Sequence, residues 1–309
     1  MSGVTEDGVE AAVRLASEQD GVLTRAQARQ CGMDRWAVGH QVEQGRWRAH
    51  GRVTVAVHPL ALSDDARVRA SVWEAGERAV LDGSSALRWH GLTGFADSLH
   101  VLVPWPASPE PWRGSVVHSS RLWAEGDVVV VRGLAVTRPD VAAVHAALWA
   151  RSDRAAATVL AMAVQQRLAP AERLVLEAKR INRHKRRPFV LQVAHDIADG
   201  AQALSELDFT TWCRRRELPA PSRQVLRKGP RGRVYLDVSW DEYGVAVEIE
   251  GAHHDAPEHA IDDALRQNQL TVDHVRVLRI PVLGLRSIPD RFMDQVEAML
   301  RRAGWDAAA

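Results

Sequence analysis

The chain has 309 residues and a formal net charge of +1, with 46% hydrophobic and 26% charged residues. These values are typical of a globular protein, and the length suggests about two domains. Because the net charge is close to zero, composition gives no general argument for binding to nucleic acid. Two cysteines are too few for a disulfide framework or a cysteine zinc site, so we expect a cytoplasmic protein. No apolar run reaches the roughly 18 residues of a membrane span, so we expect no membrane partner.

The beginning of the chain predicts a small helical unit followed by a hairpin. After a first amphipathic helix, Thr24 and Gln27 form the capping-box pattern at the start of a second helix. Asp34 is the expected N-cap of a third helix. Residues 46–57 have the pattern of two short strands. This order predicts a winged helix-turn-helix over residues 1–60.

A winged helix-turn-helix contacts double-stranded DNA through its third helix and its wing. Arginine suits this role because its guanidinium group pairs with phosphate and guanine. A three-helix unit of this size can equally serve as a protein-docking module, so both interpretations stay open. The side chains expected at the DNA surface are Arg35, Trp36, His40 and Gln41 on the helix and Arg46, Arg48, His50 and Arg52 on the wing.

The sequence here resembles the N-terminal region of AbiEi-type antitoxins. The shared features are Leu23-Thr-Arg-Ala-Gln-Ala28 and Gly45-Arg-Trp47. The elements Ser85-Ala-Leu-Arg-Trp-His-Gly91 and Val136-Thr-Arg-Pro139 are similar to the middle portion of the same proteins. The resemblance implies a DNA-binding regulator with a cognate toxin protein as a partner.

Residues 61–200 predict a mixed α/β middle region that ends in helices. Runs rich in valine and leucine indicate strands near 98–104, 115–119 and 128–132. A helix follows at 140–150, and further helical segments continue toward the end of the region. The region therefore separates the N-terminal unit from a third domain.

Two features of the middle region allow more than one interpretation. Ser84, His90 and His118 suggest a hydrolase triad, but no Gly-x-Ser-x-Gly elbow or paired acid accompanies them, which favours structural roles. The run Lys179–Arg187 is the most basic in the chain. It fits a solvated linker and a DNA contact equally well.

The C-terminal third carries the densest pattern of candidate catalytic groups. Asp237 lies in an apolar strand, and Glu248 and Glu250 alternate with apolar residues on the next strand. In a hairpin these carboxylates converge on one face, which is unfavourable unless a cation or a proton relieves the repulsion. The alternative interpretation is the solvated polar face of a half-buried hairpin.

This pattern resembles the PD-(D/E)XK nuclease superfamily, and in particular the branch similar to very-short-patch-repair endonucleases. The resemblance implies a restriction-endonuclease-like α/β domain over residues 201–309, and DNA cleavage that depends on Mg²⁺ or Mn²⁺. Asp237 and Glu248 would bind the metal, while Glu250, which stands where the usual lysine is expected, would be a further ligand or a base. The remaining matching residues are Glu206 and His254 with catalytic roles, Arg266 with a DNA-binding role, and His253 and Asp263.

Taken together, the sequence predicts an α+β multidomain protein with two open functions. The first is a metal-dependent DNA endonuclease, which hydrolyses phosphodiester bonds. The second is a non-catalytic, antitoxin-type regulator in which the nuclease-like fold is a degenerate scaffold. The carboxylate pattern favours the first function, and the missing lysine favours the second.

Overall fold

The structure is a computed structural model that describes residues 6–121, 124–199, 209–228, 234–250 and 276–306. The chain divides into two compact units, Met1–His145 and Ala146–Ala309. Both units are mixed α/β. Within the described residues, no helix combines the length and the apolar character that a membrane crossing requires.

The first unit contains a small antiparallel sheet and a larger mixed sheet. In chain order its elements are α1 (Glu6–Ser17), β1 (Val22–Thr24), α2 (Arg25–Gln30), α3 (Arg35–Glu43), β2 (Arg48–Ala49), β3 (Thr54–Ala56), α4 (Asp64–Ala75), β4 (Val80–Leu81), α5 (Gly83–Trp89), β5 (His100–Pro104), β6 (Val116–Ser120), β7 (Val128–Val131), β8 (Leu134–Thr137) and α6 (Pro139–Trp149), which runs across the boundary. The small sheet has the strand order β1-β3-β2, and the larger sheet has the order β6-β5-β4-β8-β7.

The N-terminal helices begin at the caps that the sequence predicts. Thr24 Oγ1 accepts from the Gln27 N–H at 3.1 Å, and Gln27 Oε1 accepts from the Thr24 N–H at 2.8 Å, which confirms the capping box. The Asp34 carboxylate accepts from two backbone N–H groups of the first turn of α3. The helices and the small sheet enclose a compact apolar core, which includes Ala12, Leu23, Met33, Val38, Trp47 and Val55.

The larger sheet of the first unit is mixed because its central strand has two different neighbours. β4 pairs antiparallel with β5 and parallel with β8. The strands predicted near 98–104, 115–119 and 128–132 are confirmed as β5, β6 and β7, with bounds that differ by one or two residues. The inner side chains of β4, β5 and β8 are fully buried, which places the core along the centre of this sheet.

The second unit combines helices with a four-stranded mixed sheet. Its elements are α7 (Asp153–Gln165), α8 (Ala171–Arg180), α9 (Arg187–Asp199), α10 (Phe209–Arg215), β9 (Arg223–Lys228), β10 (Val234–Trp240), β11 (Val245–Glu250), β12 (Arg276–Pro281), α11 (Val282–Ser287) and α12 (Pro289–Arg302). The sheet order is β12-β11-β10-β9, with β11 and β12 parallel. Helices α7 to α9, which sequence reasoning grouped with the middle region, lie in the same unit as this sheet.

An ion pair joins the helices of the second unit to its C-terminal part. Arg286 Nε on α11 lies 3.0 Å from Asp196 Oδ2 on α9, and the Asp196 side chain is buried. Burial raises the pKa of this carboxyl group, and Arg286 opposes the rise. This ion pair links α9 to α11.

Alternation along β10 and β11 sets the two faces of the sheet. Leu236, Val238 and Trp240 are buried in the core, as are Val245, Val247 and Ile249. Phe209 of α10 and Met293, Val296 and Leu300 of α12 belong to the same core. Because side chains alternate at period two, the residues between these apolar positions lie on the opposite face. That opposite face carries Asp237, Glu248 and Glu250.

Candidate nucleic-acid interface and carboxylate cluster

The third helix of the first unit presents a cationic and aromatic surface. Trp36 is 72% exposed, and the Arg35 guanidinium carbon lies 4.8 Å from the centre of the Trp36 ring. His40, one turn further along α3, is also exposed. Because the Asp34 cap fixes the first turn of the helix, this surface starts at a defined point of the backbone. The three side chains are exposed as predicted, and their contact with DNA stays a prediction.

Gln41 departs from the sequence prediction because its side chain is buried. It is 3% exposed and shares the inner stripe of α3 with Ala37 and Val38, as the helical period requires. The backbone carbonyl of Gln41 accepts from the backbone N–H groups of Arg46 and Trp47, both at 3.1 Å. The backbone at Gln41 therefore holds the start of the following hairpin, its side chain lies in the core, and the expectation of an exposed contact residue is wrong.

The hairpin of β2 and β3, which the sequence predicts to be a wing and which is called the wing below, carries exposed arginines around a buried histidine. Arg46, Arg48 and Arg52 are exposed, as predicted. His50 is 5% exposed, so its predicted place at the wing surface is wrong. A distant loop lies against it: the Trp112 indole N–H donates to the His50 backbone carbonyl at 2.9 Å, and Arg113 Nη1 lies 3.4 Å from the ring nitrogen Nδ1 of His50. A residue this far along the chain leaves no signal near the wing.

A carboxylate of the middle region fixes the turn of the wing. Glu74 on α4 accepts from the backbone N–H groups of Arg52, Val53 and Thr54, at 2.9, 2.9 and 2.7 Å. Gly51 makes this approach possible, because a Cβ at that position would collide with the Glu74 carboxylate. The wing is thus held in place by charge-assisted hydrogen bonds from a neighbouring helix.

The three candidates for a hydrolase triad contact different partners. Ser84 Oγ donates to Asp97 at 3.3 Å, and His90 Nε2 lies 2.9 Å from the carbonyl oxygen of Thr137. His118 Nε2 lies 2.9 Å from Nδ1 of His100. His100 Nε2 in turn lies 3.3 Å from the same Asp97 Oδ2. Ser84 is thus linked to His118 through Asp97 and His100 rather than directly, which favours the structural interpretation.

A buried Asp–His pair in the middle region was not anticipated from the sequence. Asp82 is fully buried, and its carboxylate lies 2.7 Å from His145 Nδ1 and accepts from Thr137 Oγ1 at 2.6 Å. Burial acts to raise the pKa of Asp82, but His145 and the hydrogen bonds hold it below its ordinary value. Burial, and then the neighbouring His100, lower the pKa of His118 to about 4. Asp82 gives a sequence signal only as the N-cap of α5.

The predicted carboxylates of the second unit lie on one face of adjacent strands. Asp237 on β10 stands directly opposite Glu248 on β11 in the antiparallel register, and Glu250 follows two positions later. Directly opposite residues share a face, with Cα atoms about 4.5–5.5 Å apart. The Glu248 side chain is 5% exposed, whereas Asp237 and Glu250 are partly exposed. The hairpin therefore brings the three side chains together on one face, as the alternation predicted.

Arginines from the two flanking strands face these carboxylates. Arg227 Nε on β9 lies 2.8 Å from Asp237 Oδ2. Arg279 stands beside Glu248 in the parallel register of β11 and β12, with its Nε 3.6 Å from Glu248 Oε2 and its Nη1 4.0 Å from Glu250 Oε1. Sequence reasoning missed both arginines as partners because the pairing of β9 and β12 is set by the tertiary fold.

The oxygen donors of this face have the chemistry that Mg²⁺ or Mn²⁺ prefers. Within the described residues, however, no group of three histidine, cysteine or acidic side chains is arranged to hold a metal ion. The guanidinium groups of Arg227 and Arg279 supply positive charge to the carboxylates instead. The described arrangement thus fits a network of ion pairs better than a preformed cation site.

Some predicted residues lie outside the described part of the chain. They are Glu206, His253, His254, Asp263 and Arg266. Their proposed roles in catalysis and DNA binding therefore stay predictions.

One residue of the basic run 179–187, Arg186, has a specific structural role. Arg186 Nε lies 3.0 Å from Asp153 Oδ1, and its Nη1 donates to the carbonyl groups of Leu148 and Ala150. The Arg186 side chain is mostly buried. Arg186 therefore links this run to the start of α7. This is a structural role, which differs from both the solvated linker and the DNA contact that the sequence suggested.

Comparisons with known proteins give one structural likeness of low sequence identity. No protein family matches the chain, and no curated protein matches it. Among solved structures, the chain is similar to the crystal structure of the RV2827C protein from Mycobacterium tuberculosis. The similarity has 18% sequence identity and a TM-score of 0.40, and it covers 64% of this chain and 79% of that one.

Proposed function

We propose that the chain is a DNA-binding protein that contacts double-stranded DNA through α3 and the wing between β2 and β3, as a winged helix-turn-helix does. The observation that carries this proposal is the joint exposure of Arg35 and Trp36 on α3 and of Arg46, Arg48 and Arg52 on the wing. Arginines neutralise backbone phosphates and release counterions, while α3 has the length to enter a major groove.

The way the wing is held supports this proposal over a protein-docking module. Glu74 anchors the wing backbone through three hydrogen bonds, and the side chains of Arg46 and Arg52 extend into solvent. A rigid backbone that presents mobile cations suits a regularly spaced row of phosphates. A docking surface for a protein depends on an apolar centre, and Trp36 is the one strongly exposed large apolar residue that we find among the described residues of α3 and the wing.

Salt dependence of DNA binding tests the proposal. The full chain should bind a labelled duplex with an affinity that falls steeply as salt increases, because each neutralised phosphate contributes about 0.9 to the slope of log K against log salt. Replacing Arg46 and Arg52 together by glutamine should reduce that slope by about 1.8. Glu10→Gln on the exposed side of α1 provides a charge-changing control. A wild-type chain without measurable affinity for any duplex would refute the proposal.

Metal-dependent cleavage of DNA by the second unit is a second candidate function. The specific observation in its favour is the direct register of Asp237 and Glu248, with Glu250 on the same face. When bound, a divalent cation would supply Lewis-acid activation of water and phosphate. Asp237 and Glu248 would hold it, and Arg279 would stabilise negative charge on the same face.

Plasmid nicking with Mg²⁺ or Mn²⁺ separates this candidate from a non-catalytic, antitoxin-type regulator. A nuclease should lose cleavage in Asp237→Asn while it retains DNA binding by the first unit, because the substitution keeps the shape of the side chain and removes its charge. The stability of that variant should stay about equal in a nuclease, because weaker repulsion among the carboxylates offsets the loss of the half-exposed Asp237–Arg227 ion pair. An inert wild type together with an Asp237→Asn variant destabilised by about 1–3 kcal/mol would favour the regulator, whose partner would then be a toxin protein.

A further inference from the structure

A cavity of about 520 Å³ lies between α7 and the helix pair α11 and α12. The described residues that line it all belong to the second unit, Ala146–Ala309. Its volume falls within the range of about 300–1,000 Å³ that is typical of binding sites for small molecules. Its described lining includes none of the candidate DNA contacts and none of the three carboxylates Asp237, Glu248 and Glu250.

Part of the wall of this cavity is apolar. Ala157 and Ala161, one helical turn apart on α7, line it together with Met162. Leu283 of α11 and Phe292 of α12 line it from the other two helices, and both are only partly buried although they pack against the core of the unit. Small alanine side chains on one helix and incompletely covered large side chains on the others leave room for an apolar ligand.

Gly284 contributes to the shape of the apolar wall. It lines the cavity beside Phe292, and a Cβ at this position would lie 2.4 Å from Cε2 of the Phe292 ring. The ring therefore rests against the backbone of α11, and any larger residue at 284 would force it to move.

Two arginines line the same cavity as the apolar wall. Arg154 on α7 and Arg291 on α12 are both exposed, so their guanidinium groups can reach a ligand that enters from solvent. No aspartate or glutamate belongs to the described lining. Within the described residues, neither arginine forms an ion pair with a carboxylate. The cavity thus combines apolar surface with positive charge.

The acidic residues next to these arginines in the sequence pair with other arginines. Asp153 Oδ1 accepts from Arg186 Nε at 3.0 Å. Arg216 Nη2 donates to Asp290 Oδ1 at 2.8 Å, and Arg216 Nη1 donates to Asp294 Oδ1. The sequence neighbours of the cavity arginines are therefore engaged outside the cavity, which leaves its positive charge available to a ligand.

We propose that this cavity binds a small organic acid, with its oxyanion at Arg154 and Arg291 and its apolar part between α7 and Phe292. A guanidinium group presents N–H donors that match a carboxylate or a phosphate. The apolar wall removes the rest of the ligand from water, which favours binding in proportion to the apolar area that is buried. The proposal is independent of whether the first unit binds DNA.

Octanoate is a direct probe of this proposal, because it joins a carboxylate to an apolar chain. Calorimetric titration of the full chain should show binding of octanoate or of octyl phosphate, and the tighter of the two identifies the preferred oxyanion. Octylammonium has the same chain and the opposite charge, so it should bind roughly tenfold more weakly. Equal affinity for octylammonium, or failure of both oxyanion probes to bind, would overturn the proposal.

Matched variants locate the binding site. Arg154→Gln and Arg291→Gln should each weaken octanoate binding about tenfold, because each removes one charge-assisted contact. Arg302→Gln, at an exposed position of α12 outside the cavity lining, should leave the affinity unchanged. Thr158→Trp places a large ring at an exposed lining position and should abolish binding, whereas Ala298→Trp, exposed on α12 outside the lining, should not. Wild-type affinity in both cavity arginine variants would overturn the site.

The Met162 methyl group gives a local readout that does not depend on any loss of affinity. The chain has five methionines, and among the described ones Met162 alone lines the cavity. In an NMR spectrum of methyl-labelled methionine, octanoate should shift the Met162 signal most, and Met162→Leu identifies that signal. A Met162 signal that stays in place while octanoate binds would show that the probe lies elsewhere, and the proposal would be wrong.

Discussion

The wing of the first unit and the carboxylate face of the second unit differ in whether their charged side chains have partners of opposite charge. Around the wing, arginines are exposed and, within the described residues, Arg46, Arg48 and Arg52 form no ion pair with a carboxylate. On the second unit, Asp237 and Glu248 face arginines supplied by the flanking strands. Charge balanced inside the fold supports stability, whereas charge left unbalanced at a surface indicates a partner of opposite sign. The comparison supports our proposal that an interaction with DNA would involve the first unit.

Among the variants that test this comparison, removal of Arg279 should have the largest effect on stability. Arg279→Met should destabilise the second unit by about 2–4 kcal/mol, because it leaves the buried Glu248 carboxylate without its described cation. Hydrogen exchange of the β10 and β11 amides would report this unit separately. Arg301→Met is a matched control, because Arg301 pairs with Glu297 on the exposed side of α12 and should matter by less than about 1 kcal/mol.

The Arg279→Met variant also tests whether Mg²⁺ can replace the positive charge of Arg279. If Mg²⁺ restored stability to Arg279→Met but not to the wild type, the carboxylates would form a latent cation site. The contrast between the two units would then be wrong, and the nuclease candidate would gain support. No effect of Mg²⁺ on either protein would retain the ion-pair description.

Loss of Glu74 should have a smaller effect on stability and a clear effect on the wing. Glu74→Ala removes the acceptor of three backbone N–H groups, so we expect a destabilisation of about 2 kcal/mol and weaker DNA binding. No arginine changes in this variant, so the lower affinity would reflect the position of the wing. Glu77→Ala, on an exposed residue just after α4, should leave both thermal unfolding and DNA binding unchanged. Full affinity in Glu74→Ala would mean that a fixed wing is unnecessary.

The features that could be predicted from the sequence are those set by near neighbours. Thr24 and Asp34 predict where α2 and α3 begin, because an N-cap side chain bonds to backbone groups within three residues. Asp237 and Glu248 share a face because alternation along each strand and a hairpin suffice to place them there. Local patterns therefore gave the strands and the polar face of the second unit.

The features that could not be predicted depend on contacts between distant parts of the chain. His50 lies against Trp112 and Arg113 of a distant loop, and Asp82 pairs with His145 on a helix that follows four further strands. Arg279 faces Glu248 because β12 adds to the sheet in parallel after a long connection. Whether a charged residue is balanced inside the fold is thus decided by tertiary structure, and the sequence indicates only that charges are present.

The smallest expected effect concerns His118, a basic group that is kept neutral by burial rather than balanced by an acid. Its folded pKa of about 4 lies below the ordinary value of 6.5. Because the unfolded chain then binds more protons, stability is fully present above pH 6.5 and decreases as the pH falls toward 4. A fully shielded imidazole would lose about 3 kcal/mol over this range, and partial exposure reduces the expected loss to about 1–2 kcal/mol.

Urea unfolding between neutral pH and pH 4 would measure this loss. His118→Gln should flatten the pH dependence, because the amide can still hydrogen-bond to His100 but does not titrate. The groups that face His118 are His100, Asp82 and His145, so His145→Gln tests whether the Asp82 pair contributes to the same slope. His50, whose pKa is also lowered, should supply a residual slope in both variants. An unchanged slope in His118→Gln would show that His118 is accessible to protons in the folded protein, and that burial in the first unit does not control its charge.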